Sequence, residues 1–232
     1  MSGLDHKHFS GPEHGWEPEP GLPERLPAGE TLLWQGAPDI GLVAREVFHV
    51  RAVAAYFGLL LAWKLIADWH DGATPIEALI ATLKIAPLPL IGLAMLFGLA
   101  VAVSRTTLYT LTDKRVVMRI GIVLGITYNI PLRQVAAADL RQQAQGAGDI
   151  CLRLTDGQRI AYPHLWPHAR PWRITQPEPA LRCLPDASRV ATLLGQAWSV
   201  VQQRSAAAPA RAAETVRPKR GTGDALAGVE PA

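Results

Sequence analysis

Apolar residues are concentrated between Val47 and Val103, and the chain on either side breaks into short apolar runs separated by turn residues. The nineteen residues Ile85 to Val103 carry no charge and as a helix would extend about 28 Å, nearly the thickness of a bilayer's hydrocarbon core. Pro87 and Pro89 predict a kink near its start, which a membrane helix tolerates when neighbours satisfy the freed carbonyls. A second run, Ala52 to Ala67, is apolar apart from Lys64; it needs flanking residues to reach about 20 positions, and Lys64 can snorkel. Tyr56, Phe57, Trp63 and Trp69 suit an interfacial aromatic belt. Two such helices joined by the polar Asp68 to Gly72 would need, as a soluble core, more apolar partners than the rest of the chain supplies, so the pattern predicts a membrane hairpin. Arg45, Arg51, Arg105, Lys114, Arg115 and Arg119 flank its outer ends, against Lys64 and Lys84 toward the loop. The positive-inside rule then places both termini in the cytoplasm and the Asp68 to Thr74 loop outside.

Small residues recur four apart on each run, Ala54, Gly58 and Ala62 on the first and Ala94, Gly98 and Ala102 on the second. Such stripes let helix backbones approach closely, and they predict helix packing: first between the two helices of the hairpin, and next in a homodimer or against another membrane protein.

Beyond the second run the period changes to that of strands. Thr106–Thr112, Arg115–Ile120, Ile122–Ile130, Val135–Gln142, Ile150–Leu154, Arg159–Tyr162 and Leu181–Leu184 are separated by Asp113-Lys114, Gly121, Pro131, Gly146-Ala147-Gly148 and Asp156-Gly157, the spacing of an antiparallel meander. From Ala187 to Val201 the apolar positions Val190, Leu193, Leu194, Ala197 and Val201 return to helical spacing. The expectation is an α+β membrane protein: a two-helix transmembrane hairpin, then an antiparallel β barrel or sandwich capped by a C-terminal helix. Glu30 to Gly36 reads as one more strand joining that sheet. The domain limits expected are a Pro-rich disordered segment over 1–30, a juxtamembrane segment over 31–46, the hairpin over 47–104, the β domain over 105–202 and a disordered tail over 203–232. The tail is Ala, Pro, Arg and Gly, with too little apolar surface to offset the entropy of ordering.

Composition adds mainly exclusions. A formal charge of +3 with scattered basic residues argues against nucleic acid, and Cys151 and Cys183 form neither a disulfide framework nor a metal pair. The first thirty residues lack the apolar core of a cleavable signal peptide. No phosphate loop, dinucleotide fingerprint, nucleophile elbow or HExxH occurs, so no catalytic or cofactor-binding residue and no small-molecule substrate is expected. His164 and His168 are separated by prolines that break the helix a metal pair would need; His6, His8 and His14 lie in the polar leader; Asp68, His70 and Asp71 read as turn residues. No histidine lies within a span to ligate a pigment's metal. The reading therefore has no metal and no cofactor.

Particular runs carry a resemblance. His8-Phe9, Trp16-Glu17-Pro18-Glu19-Pro20-Gly21-Leu22-Pro23-Glu24, Leu26 to Glu30, Leu33-Trp34-Gln35-Gly36-Ala37-Pro38, Phe48-His49-Val50-Arg51 and Tyr56-Phe57 resemble the PuhB family of photosynthetic complex assembly proteins of purple bacteria. Tyr109 to Val116 and Ile130 to Val135 are similar to bacterial pleckstrin-homology-like (PH-like) domains that follow membrane hairpins. The resemblance implies a protein of the bacterial inner membrane, cytoplasmic or intracytoplasmic, that helps assemble the reaction centre and secondarily affects the core light-harvesting antenna without chemistry of its own. Its partners would be reaction centre subunits, core antenna polypeptides and the membrane. Trp16, Pro18, Pro20, Leu22 and Trp34 stand out as candidate partner contacts, the two tryptophans as large apolar anchors on polar stretches; for Trp34, packing into the β domain is an equal reading. The PH-like half taken alone fits a general membrane-anchored lipid- or protein-binding module, and an integral-membrane enzyme is the third reading.

Overall fold

In the computed structural model, which describes residues 26–121, 125–143, 146–155 and 160–215, the alternating runs form two antiparallel sheets. Strands β1 (Leu32–Gly36), β2 (Leu108–Thr112), β3 (Arg115–Ile120) and β4 (Ile126–Pro131) lie in that order in one sheet. Strands β5 (Val135–Gln142), β6 (Gly148–Leu154) and β7 (Ala180–Leu184) make the other. A side chain at Gly148 would collide with the Arg141 backbone, so only glycine allows this close approach of β5 and β6.

β1 pairs with β2 in the register Gln35↔Thr110 and Gly36↔Tyr109, although the helices lie between them in sequence. Everything from Ala37 to Thr107 thus leaves and returns at one end of one sheet. Asp39 caps the entry, its carboxylate accepting from the Leu42 N–H at 2.9 Å. The short helix α1 (Ile40–Leu42) continues as a π-helical turn, Val43–Val47, that stops where His49 takes a left-handed φ of 51°. Then α2 (Val50–His70) runs outward, and α3 (Pro75–Ile85) and α4 (Pro87–Thr106) run back. α2 and the combined Pro75–Thr106 arm are each long and apolar enough to cross a membrane. Core helices of a soluble protein would bury their apolar faces. Here Leu59, Trp63, Ile66, Leu88 and Met95 are 62–73% exposed.

Three features differ from the sequence reading. The second arm begins at Pro75, where Thr74 and Glu77 form a capping box, so the turn shrinks to residues 71–74; the arm breaks at Ala86, just ahead of Pro87. The small-residue stripes do not pack on each other. Gly58, Ala62, Ala94 and Gly98 are exposed and Ala54 and Ala102 half-buried, and a Cβ added at Gly58 or Gly98 would meet nothing within 4 Å. Finally, Ile160 and Ala161 are not in a strand and Tyr162 opens a single helical turn, α5 (Tyr162–Leu165).

The core lies between the two sheets and under α6 (Ala187–Thr215). Tyr109, Leu111, Met118, Leu152, Leu181 and Leu194 are buried there together, and the Trp198 indole N–H donates to the Val135 carbonyl at 2.9 Å. α6 keeps residues 203–215 helical, beyond the expected end of the β domain; the alanines there are strong helix formers and extending an existing helix is cheap. The remainder of the expected tail, 216–232, lies outside the described residues.

Candidate functional site

Thr107 ends the helical arm and Leu108 opens β2, so Thr107 and Tyr109, two apart on an extended chain, point to the same side. Between them sits His168, 3% exposed. Its Nε2 lies 3.0 Å from Thr107 Oγ1 and its Nδ1 2.6 Å from the Tyr109 hydroxyl. That hydroxyl accepts the Arg182 backbone N–H at 3.2 Å, so the consistent assignment has it donating to Nδ1 while Nε2–H donates to Thr107. Burial, reinforced by the Arg182 charge, pushes the imidazole down to about 3; burial drives the Tyr109 phenol upward.

Arg182 donates from Nη1 to the Pro167 carbonyl at 3.2 Å. Its Nε lies 3.8 Å from Asp149 Oδ2, within ion-pair range but without a hydrogen bond. Asp149, 2% exposed, accepts the Cys183 N–H at 2.8 Å. Cys183 adopts φ 57°, its carbonyl accepts the Asp39 N–H at 2.9 Å, and it packs with Val43, Ala44, Ala100 and Val103. This chain of contacts therefore ties both sheets to the base of both helical arms. Burial raises the thiols, Cys183 to about 12 and Cys151 to about 11, so neither is an activated nucleophile at neutral pH. The arrangement suits rigid coupling of helices to β domain.

A pH dependence follows. The unfolded chain takes up a proton near pH 6.5 while His168 in the fold resists it down to about 3, so stability is full above 6.5 and is lost as pH falls below it. Between pH 7.5 and 5 the wild type should lose about 2 kcal/mol more than His168→Gln, measured by unfolding in detergent; equal pH profiles would contradict the placement of His168.

A second feature is an open groove of about 440 Å³ at the far end of the first sheet, lined among others by Pro27, Lys114, Arg115, Pro131, Arg133 and Val201. Glu30 occupies its wall: the carboxylate accepts from Arg115 Nε at 2.7 Å and Nη2 at 2.9 Å. Lys114 and Arg133 are exposed. A third is a cleft of about 300 Å³ between the arms, apolar except for Lys64, which pairs with Asp68.

Of the residues singled out from sequence, Trp16, Pro18, Pro20 and Leu22 lie outside the described residues. Trp34 is 8% exposed in the core, its ring folded so tightly over Gly36 that a Cβ there would overlap it. Of the two readings of Trp34, the structure therefore shows packing into the core. His164 is exposed and His168 buried, with both His168 ring nitrogens engaged as above. The sequence reading missed Asp149 and Arg182, whose spacing follows no motif.

The family model described as a bacterial PH domain matches residues 46–198, from the end of the π-helical turn through both helical arms and strands β2 to β7 into the first half of α6; β1 and α1 lie outside it. The chain belongs to the bacterial PH domain family. This PH-domain chain is also similar to a protein of Rhodobacter capsulatus described as an uncharacterized 23.7 kDa protein in the puhA 5′ region, with 36% identity over 183 residues, 78% of this chain and 86% of that one. No solved structure matches.

Proposed function

We propose that this PH-domain protein is a non-enzymatic, membrane-anchored assembly factor for the photosynthetic reaction centre, with a secondary effect on the core light-harvesting complex. One observation carries the reading: a relative aligned over most of both chains is encoded in the puhA 5′ region of a photosynthetic bacterium. The exposed apolar arms support a bacterial inner-membrane location, and the resemblance of the leader to the PuhB family supports the assembly role. The arms anchor the protein. Their open stripes, Ala54/Gly58/Ala62 and Ala94/Gly98/Ala102, take helices of reaction centre or antenna polypeptides or of a second copy, and Trp16, Pro18, Pro20 and Leu22 contact partners from the cytoplasmic side. A general lipid- or protein-binding module is the second reading, favoured by the PH-domain match itself.

The hairpin has a direct test. Both arms return to one sheet end, and the Arg-rich flanks support a cytoplasmic position for that end. Asp71→Cys should react with a membrane-impermeant maleimide in intact spheroplasts, and Ser205→Cys only after lysis; the native cysteines are buried. Labelling in the reverse order would contradict the orientation.

A further inference from the structure

The groove beside Glu30 has more cationic capacity than the described chain uses. Arg115 is taken by the Glu30 carboxylate, while Lys114 and Arg133 make no ion pair among the described residues, and Pro27, Pro131 and Val201 supply apolar wall beside them. The chain enters this groove from a particular direction: Pro27 lines it, and the residues just before are Glu17-Pro18-Glu19-Pro20-Gly21-Leu22-Pro23-Glu24. From Pro12 to Glu24 there are four glutamates and neither lysine nor arginine.

We propose that this groove is the docking site of the chain's own acidic, proline-rich segment, Glu17 to Glu24, held by Lys114 and Arg133. Charge and tether length both favour this occupant. Glu24, three residues from Pro27, reaches at most about 10 Å, and Glu19, eight residues away, about 25 Å in the extended proline conformation. Prolines preset that conformation, so little entropy is lost on docking, and short tethering raises the local concentration of the segment well above that of any free peptide. Glu30 is the resident example of the same contact, a carboxylate of the leader seated on a groove arginine. The docked segment covers the basic surface, and a partner that takes the segment must displace it. The inference stands independently of the membrane and photosynthetic reading.

Zero-length carbodiimide crosslinking of the full-length protein in detergent, with mass spectrometry on an equal mixture of ¹⁵N-labelled and unlabelled chains, tests it. The expected products join Glu19 or Glu24 to Lys114 within one chain. Their yield should fall by about two- to fivefold in Arg133→Glu, which keeps the reacting lysine but removes one exposed ion pair, and similarly in about 1 M salt. Absence of these products in the wild type, an equal yield in Arg133→Glu, or products joining only labelled to unlabelled chains would overturn the proposal; the last would assign the groove to a second copy.

Discussion

Asp149→Ala should destabilise the protein by about 3–5 kcal/mol, the cost of leaving one member of a buried ion pair without its partner. Asp149 is 2% and Arg182 8% exposed, so water does not replace the lost carboxylate. The same substitution orphans the Cys183 N–H, which donates to Asp149 at 2.8 Å at a residue whose φ of 57° already needs support from its surroundings. Asp149→Asn separates the two effects. It retains an oxygen for Cys183 but not the charge for Arg182, and should cost less than alanine. Denaturant or thermal unfolding in detergent measures both; a loss below about 1 kcal/mol for Asp149→Ala would contradict the role given to this cluster.

Trp34→Ala should cost about 3–5 kcal/mol, the range for removing a large aromatic from a packed core. The ring is 8% exposed in the cluster with Tyr109 and Leu111, and β1 is the edge strand holding one end of the helical insertion. The substitution therefore weakens the attachment of the helices as well as the core. An unchanged unfolding midpoint would restore Trp34 as a binding residue.

Much of this architecture is written in local pattern. The uncharged Ile85–Val103 run, the strand runs Arg115–Ile120, Val135–Gln142, Ile150–Leu154 and Leu181–Leu184 and the apolar period of Ala187–Val201 point to the elements observed, because hydrophobic period is a local property; Arg159–Tyr162 does not, its last residue opening a helical turn. The helix over Pro75–Ile85 has a signal too, Thr74-Pro75-Ile76-Glu77, a capping-box sequence, which a second span counted from the first uncharged residue, Ile85, passes over. Other features have no local signal. The pairing of β1 with β2 spans the whole hairpin, and the cluster of Thr107, Tyr109, Asp149, His168 and Arg182 is assembled by strand register from distant segments. The outward facing of Gly58 and Gly98 depends on how the arms rotate against each other, which residue spacing alone does not specify. The basic groove was half legible: Lys114 and Arg115 are visible as a basic pair, but Arg133 and Pro27 join them only in three dimensions.

The proposed role in reaction centre assembly is tested most directly by an in-frame deletion in the source organism, with reaction centre and core antenna absorbance scored separately in isolated membranes. The expected result is a several-fold loss of the reaction centre signal, a smaller loss of the antenna signal, and recovery of both on restoring the gene. Unchanged absorbance of both complexes in the deletion strain would contradict it.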